Sequence, residues 1–218
     1  QGASDSAAFT ITITGTNDAP VATFTEAQTA IEDGPEISGQ LTSTDVDVLG
    51  TTATYALVGA AIPGLTIDPN GSWNFDPADD AYQYLAEGEE LEIEVNYSVT
   101  DDQGASDSAA FTITITGTND APVATFTEAQ TATEGGPEIS GQLTSTDVDV
   151  LGTTATYALV GGPIPGLTIN SDGSWTFDPS DVAYQGLTED LAITVDYSVV
   201  DDQGASDTSS FVITVTMI

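Results

Sequence analysis

The chain has 218 residues, of which 35 are Asp or Glu and none is Lys, Arg, His or Cys, giving a formal net charge of −35 at pH 7. These zeros exclude phosphate or nucleic-acid binding through basic side chains, Cys/His zinc sites, and catalysis by a Ser–His–Asp triad, a thiolate or a lysine Schiff base. With 39% hydrophobic and 7% aromatic residues, and Thr, Val and Ile prominent, the composition suits a packed β-fold better than a solvated acidic tail.

Residues 1–16 alternate like a strand and repeat a later segment, so we read them as the leftover last strand of a preceding repeat. Thr16–Pro20 follows as a linker, because Pro and Asx residues interrupt a β-ladder. Period-2 alternation then predicts strands at Val21–Gln28, Ile37–Ser43, Thr52–Val58, Leu65–Ile67, Ser72–Phe75, Leu91–Thr100 and Ala109–Thr116. Asn70-Gly71 is the hairpin turn between the fourth and fifth of these. Only Asp79–Glu87 looks helical, with Tyr82 and Leu85 spaced to close one end of a core. Trp73, Phe75, Tyr55 and Tyr97 are the expected core aromatics, repeated as Trp175, Phe177, Tyr157 and Tyr197. No run of about 18 apolar residues is present to span a membrane, and no basic leader precedes the first strand. The chain opens on Gln and its single Met is Met217, so it is expected to be a fragment of something longer.

Internal duplication organises all of this. Gln1–Ala30 recurs unchanged as Gln103–Ala132, and Glu36–Gly59 as Glu138–Gly161. A two-residue deletion shortens the second copy where Ala86–Glu90 aligns with Thr188–Asp190. The chain divides into the leftover strand (1–16), a first module (17–118) and a second module (119–218). Each module carries about seven short strands, which predicts an all-β chain of tandem immunoglobulin-like Greek-key β-sandwiches.

That topology gathers carboxylates. Asn17, Asp18, Asp45, Asp47, Asp101 and Asp102 are expected at the end where the chain enters the first module. Asn119, Asp120, Asp147, Asp149, Asp201 and Asp202 form the equivalent group of the second. Glu32, Asp33 and Asp76 are expected at the exit end of the first module, facing the second group across the linker; Glu134 and Asp178 are the second-copy equivalents of Glu32 and Asp76. Two carboxylates 4 Å apart repel by roughly 1 kcal/mol in water and roughly 4 at an effective dielectric of 20, and the protein has no cationic side chain to offset this. Ca²⁺ takes 6–8 oxygen ligands, whereas zinc and copper favour nitrogen or sulfur donors that are absent here. Calcium is therefore the expected ion. Asp68, Asn70 and Asp172 are read as turn residues, and Glu87, Glu89, Glu90, Glu92 and Glu94 as a solvated face.

On the motifs GTNDAP (Gly15–Pro20), TDVD (Thr44–Asp47), GSWNFDP (Gly71–Pro77) and VTDDQGASD (Val99–Asp107), with their second copies, the sequence resembles the cadherin-like repeats of bacterial surface proteins. It is especially similar to the VCBS-type extender domains of giant RTX adhesins. The resemblance runs through both modules. It implies cadherin-like sandwiches strung between an anchor and distal ligand-binding domains, exported by type I secretion to the cell surface. It also implies linker calcium held by Asn119, Asp120, Asp147, Asp149 and Asp202 (with Gly204) from the following domain, and by Glu32 and Asp76 from the preceding one. A Leu-Asp-Arg-Glu motif and the glycine-rich RTX nonapeptides are absent from the sequence.

The expected function is that of a structural extender whose calcium-filled linkers stiffen a large adhesin involved in biofilm formation. Its partners are neighbouring repeats and calcium ions, with no nucleic acid and no membrane insertion, in a chain that is monomeric in solution. From strand rise each module spans roughly 35–45 Å. A glycan- or surface-recognising module is the alternative; alternating Thr10, Thr12 and Thr14 could form a flat face, although ordinary strands alternate in the same way. A carboxylate-pair glycosidase is disfavoured, since near-identical sites in tandem would lack any basic or imidazole group. The chain is not expected to be an enzyme.

Overall fold

A computed structural model describes residues 1–47, 53–149 and 155–218. The first repeat supplies β1 (Val21–Ala22), β2 (Gln28–Ile31), β3 (Ile37–Gln40), β4 (Ser43–Thr44), β5 (Thr54–Leu57), β6 (Leu65–Ile67), β7 (Ser72–Phe75), β8 (Glu90–Thr100) and β9 (Ser106–Thr116). The second supplies β10 (Val123–Ala124), β11 (Gln130–Thr133), β12 (Ile139–Gln142), β13 (Ser145–Thr146), β14 (Thr156–Leu159), β15 (Leu167–Ile169), β16 (Ser174–Phe177), β17 (Leu191–Val200) and β18 (Ser206–Thr216). Each repeat builds a four-stranded sheet (β2-β9-β8-β5 and β11-β18-β17-β14), a three-stranded sheet (β3-β7-β6 and β12-β16-β15) and a two-stranded ribbon (β1-β4 and β10-β13). The chain is all-β, as its alternation predicts, and no described helix is long or apolar enough to cross a membrane.

Alternation places the core. Along β18, Phe211, Ile213 and Val215 are buried while the residues between them are partly exposed; β17 buries Val195, Tyr197 and Val199 opposite. Trp175 and Phe177 close the cluster from the other sheet, with Leu143 and Tyr184. Phe211 meets Phe126 edge-on at 5.1 Å and Trp175 at 5.2 Å. Such aromatic pairs add about 0.5–1.5 kcal/mol beyond area burial. All eight expected core aromatics are buried.

Three elements depart from the sequence reading. The expected strand Val21–Gln28 is broken into β1 and β2, because the chain changes partners. In the second copy β10 runs antiparallel to β13, whereas β11 runs parallel to β18. The break is closed by a tyrosine: Tyr97 Oη accepts the Phe24 N–H and donates to the Phe24 carbonyl, both at 3.0 Å, and Tyr197 does the same at Phe126. Ile37–Ser43 likewise splits at Leu41, whose N–H goes to the Gly71 carbonyl at 2.8 Å.

The expected helix Asp79–Glu87 is a pair of turns instead, with Tyr82 N–H on Asp79 O and Leu85 N–H on Tyr82 O. Its counterpart is a single 3-10 turn, Val182–Tyr184, capped by the Asp181 side chain. So few residues close i→i+3 bonds more readily than they nucleate an α-helix. Tyr82 and Leu85 are nonetheless buried. The start of the expected strand at Thr52 lies outside the described residues. Residues 1–16 form no strand and are exposed throughout.

By internal contacts the chain forms two compact units. One comprises residues 1–28, 37–75 and 93–113; the other comprises 29–36, 76–92 and 114–218. The second unit therefore contains end segments of the first repeat together with the whole second repeat.

Candidate functional site

In the first unit, one acidic group is laid out by loop geometry. Asn17 Nδ2 donates to Asp101 Oδ2 at 2.8 Å, and Asp101 Oδ1 accepts the N–H groups of Gln103 and Ala105, each at 2.9 Å. Asp101 is held below the usual carboxylate range by Asn17 first, then by these backbone donors. Asp18 N–H donates to Asp47 Oδ2, and Asp47 N–H to Asp45 Oδ1. Thus Asn17 joins Asp101, and Asp18 joins Asp45 and Asp47; Asn17, Asp18 and Asp102 are exposed.

The second unit repeats this scheme with deeper burial. Asn119 Nδ2 donates to Asp201 Oδ2 at 2.9 Å, Asp120 N–H to Asp149 Oδ2 at 3.0 Å, and Asp149 N–H to Asp147 Oδ1 at 3.2 Å. Burial works to raise Asp201, but Asn119 and the N–H groups of Gln203, Gly204 and Ala205 outweigh it, holding this carboxyl low. Asp202 is exposed. Asp149 is only 4% exposed, while the identical Asp47 is half-buried.

What this unit adds is Glu32, carried just past β2 and 1% exposed. The Glu32 N–H bonds the Thr116 carbonyl at 2.9 Å, and its Oε2 accepts the Thr118 N–H at 2.8 Å. Its other oxygen, Oε1, is buried with no partner, and the same holds for Asn119 Oδ1, Asp120 Oδ2 and Asp149 Oδ1. Buried acceptors left unpaired are costly, by about 1–3 kcal/mol each and more for charged groups. Among the described residues, none of the buried unpartnered oxygens belongs to the first-unit group.

Electrostatics agree with the geometry. Burial pushes Glu32 up, as do the charges of Asp120, Asp33 and Asp149, against the lowering bond from Thr118. Asp120 is raised by burial and then by Asp33, Asp149 and Asp147. Asp149 is raised by burial, with Asp147 and Asp201 adding to it against the bond from Asp120. Among the described residues no three acidic side chains are drawn into a preformed metal cage. A cavity of about 500 Å³ lies beside this group, lined by Asp80, Gln83, Asp120, Ala121, Val123, Thr146, Asp147 and Val148. A second, of about 320 Å³, touches Asp147 and Asp201.

Asp76 and its second-copy equivalent Asp178 each engage a local turn. Asp76 Oδ1 accepts the Ala78 N–H at 3.0 Å, and Asp178 Oδ1 accepts the N–H and hydroxyl of Ser180 at 2.8 and 2.6 Å; both carboxylates set Asx turns. Glu134 is half-buried, and its Oε1 accepts the Gly186 N–H. Sequence reasoning left Asp80 and Gln83 out of the site and gave Asp33 no ligand role, although Asp33 bonds Gln83 at 3.1 Å and is the charge Asp120 feels most. A partial signal was available: the second copy has Gly135 and Val182 at the positions of Asp33 and Asp80.

A model of the bacterial cadherin-like domain matches residues 17–117 and again 119–217. The chain belongs to that family. No curated protein sequence matches it. Among solved structures, this bacterial cadherin-like chain is similar to human protocadherin-24 EC1-2, with TM-score 0.59 and 18% identity, covering 93% of this chain and 99% of that one. It is also similar to mouse cadherin-23 EC22-24, with TM-score 0.56 and 16% identity, covering 92% of this chain and 65% of that one. At such identities the likeness shows the fold: two cadherin-like β-sandwiches in tandem. The chain thus spans about two thirds of the mouse cadherin-23 fragment.

Proposed function

We propose that this chain is an extender segment of a large bacterial surface adhesin, and that calcium bound at the Glu32–Asp149 centre stiffens it. The observation that carries this reading is the set of unpaired, buried oxygens on Glu32, Asn119, Asp120 and Asp149 in a chain without a single cationic side chain. An external cation compensates them all at once at neutral pH, and an all-oxygen donor set selects a hard one. Glu32 Oε1, Asn119 Oδ1, Asp120 Oδ2 and Asp149 Oδ1 would hold it, with Asp147 and the exposed Asp202 within the same acidic loops. When bound, the ion supplies positive charge that lets the carboxylates stay ionised side by side.

The chain's own residues do the positioning. Thr118 fixes one Glu32 oxygen and leaves the other free; Asn119 fixes Asp201; the Asp120 backbone fixes Asp149. Glu32 belongs to the first repeat and Asp149 to the second, so a shared ion ties the repeats together. Without it, charge repulsion opposes that closure. Extracellular modules work at calcium affinities of about 10⁻⁴–10⁻³ M, so an ion-poor cytoplasm would leave the chain loose enough for type I export, and the outside would set it. The first-unit group, Asn17, Asp18, Asp45, Asp47, Asp101 and Asp102, would serve the junction with a preceding repeat in the same way.

Small-angle scattering of the chain, titrated from EGTA to millimolar CaCl₂ with MgCl₂ as control, tests the proposal. A maximum dimension that sharpens with calcium supports an extender; a curve unchanged from EGTA to calcium overturns it.

A further inference from the structure

Ser4–Thr14 and β9, Ser106–Thr116, are the same eleven residues in the same order. In β9 the alternation turns Phe111, Ile113 and Ile115 into the core, where they are 2%, 0% and 0% exposed; the matching Phe9, Ile11 and Ile13 are 85%, 73% and 89% exposed. The exposed segment therefore carries one complete apolar strand face, with Thr10, Thr12 and Thr14 on the other. Burial of that Phe and two Ile side chains is the free energy it has yet to realise.

The surroundings of β9 show what such a strand requires. It is an inner strand, hydrogen-bonded to β2 on one side and to β8 on the other. Phe111 sits in an aromatic seat, edge-on to Phe24 at 5.1 Å, with Trp73 at 5.3 Å and Tyr97 at 6.4 Å. Near the start of the strand, Asp107 Oδ2 accepts the Ala22 N–H at 2.9 Å. In this chain β9 itself fills that seat, and β18 fills the equivalent one between β11 and β17. Pairing on the edge of a finished sheet would satisfy only one side of the segment's backbone and leave Phe9 outside a closed core.

We propose that Ser4–Thr14 is a docking strand, and that its partner is a repeat of this same sequence standing open between β2 and β8. The segment inserts there in the place of β9. Phe9 takes the aromatic seat that Phe111 holds, Ile11 and Ile13 take those of Ile113 and Ile115, and Asp5 takes the place of Asp107. Main-chain hydrogen bonds on both sides supply affinity, and the alternating apolar side chains fix the register. Gly15–Pro20 repeats Gly117–Pro122, so a docked chain passes from the inserted strand into its own first repeat through the sequence that joins its two repeats. Extender chains are thereby joined end to end without a covalent bond, and the docking itself calls for no cation.

The probe is a polypeptide of residues 17–105, which carries β1 to β8 and stops before β9; it is mixed with the full chain. Refolded together, the two should elute as a one-to-one complex, with the emission of the probe's Trp73 shifted to the blue as its site closes. Chymotryptic cleavage after Phe9 should slow by at least about tenfold in the complex. Phe9→Asp/Ile11→Asp in the full chain is the control: both side chains are exposed, so this variant should melt with the parent and yet leave the probe unbound. A second probe, residues 17–116, contains its own β9 and should not bind. Elution of the parent chain apart from the first probe overturns the proposal, as does a probe that aggregates equally with parent and variant. Equal binding of parent and variant, or of the two probes, overturns it too.

Discussion

Glu32 and Thr118 share one hydrogen bond, 2.8 Å from the Thr118 N–H to Glu32 Oε2, and that bond leaves Oε1 of a 1% exposed carboxylate facing no donor. Half of the side chain is anchored and half is held open. Glu32→Gln keeps an oxygen for Thr118 and removes the charge. In EGTA the variant should be more stable by about 1–2 kcal/mol, since a buried unpaired charge is gone. In calcium the order should invert, with affinity lower by at least about tenfold. Chemical denaturation of both proteins under both conditions reads the two signs. A variant less stable in EGTA would show that the Glu32 charge is already compensated without a cation.

The pH dependence follows from the same groups. Glu32, Asp120 and Asp149 are raised in the folded chain, chiefly by burial. They contribute stability that is fully present below the unfolded carboxyl values, near about 4, and lost as pH rises through the higher folded ones. Asp101, with its bond from Asn17, and Asp107 and Asp207, bonded by the N–H groups of Ala22 and Ala124, are lowered. Their contribution is present above about 4 and lost as pH falls through their folded values. In EGTA the melting temperature should therefore rise from pH 7 toward about 4.5 and drop again in stronger acid. Calcium should reverse the upper limb, since it binds the ionised forms. Scanning calorimetry across pH, with and without calcium, checks both limbs; Glu32→Gln should flatten the rise in EGTA.

Gly141 and Trp175 make the most direct packing prediction. A Cβ at Gly141 would lie 2.6 Å from the indole ring of Trp175, and one at Gly39 would lie 2.7 Å from Trp73. Both rings are buried, so neither can swing into solvent. Gly141→Ala should destabilise by about 1–3 kcal/mol through overpacking, and Gly39→Ala by a similar amount. Urea unfolding followed by tryptophan fluorescence measures it, with Gly162→Ala as control, since a Cβ there meets nothing within 4 Å.

Much of this was legible because strands announce themselves locally. Phe111, Ile113 and Ile115 alternate with threonines, and the structure buries all three; Gly71 follows Asn70 and takes the left-handed φ of 85° that a tight hairpin needs. The break between β1 and β2 was not legible, because it depends on Tyr97, 73 residues from Phe24. The acidic loops were legible as a set, Asn119 with Asp201 and Asp120 with Asp149. The turn made by Asp76 was not legible, because any N–H two residues on can engage an Asp side chain and nothing in a one-dimensional motif shows that it does. Asp33 and Asp80 differ between the copies, as do Asp68 and Tyr84, so the comparison alone did not single them out.

The first sixteen residues give the last prediction. Ser4–Thr14 has the sequence of β9, residue for residue. In β9, Phe111 is 2% exposed; the matching Phe9 is 85% exposed, in a segment without regular structure. Identical residues thus have opposite fates, because a strand is stabilised by neighbours rather than by its own alternation. Trypsin has no site in a chain without Lys or Arg, so chymotrypsin is the useful probe. Cleavage should begin after Phe9, while Phe111, Trp73 and Tyr97 resist. Mass spectrometry of a short digest in calcium identifies the first cut. The fragment beginning at Thr10 should melt at the temperature of the intact chain, because nothing that packs has been removed. A first cut inside either sandwich, or a lowered melting temperature after loss of residues 1–9, would show that this segment is seated against the fold.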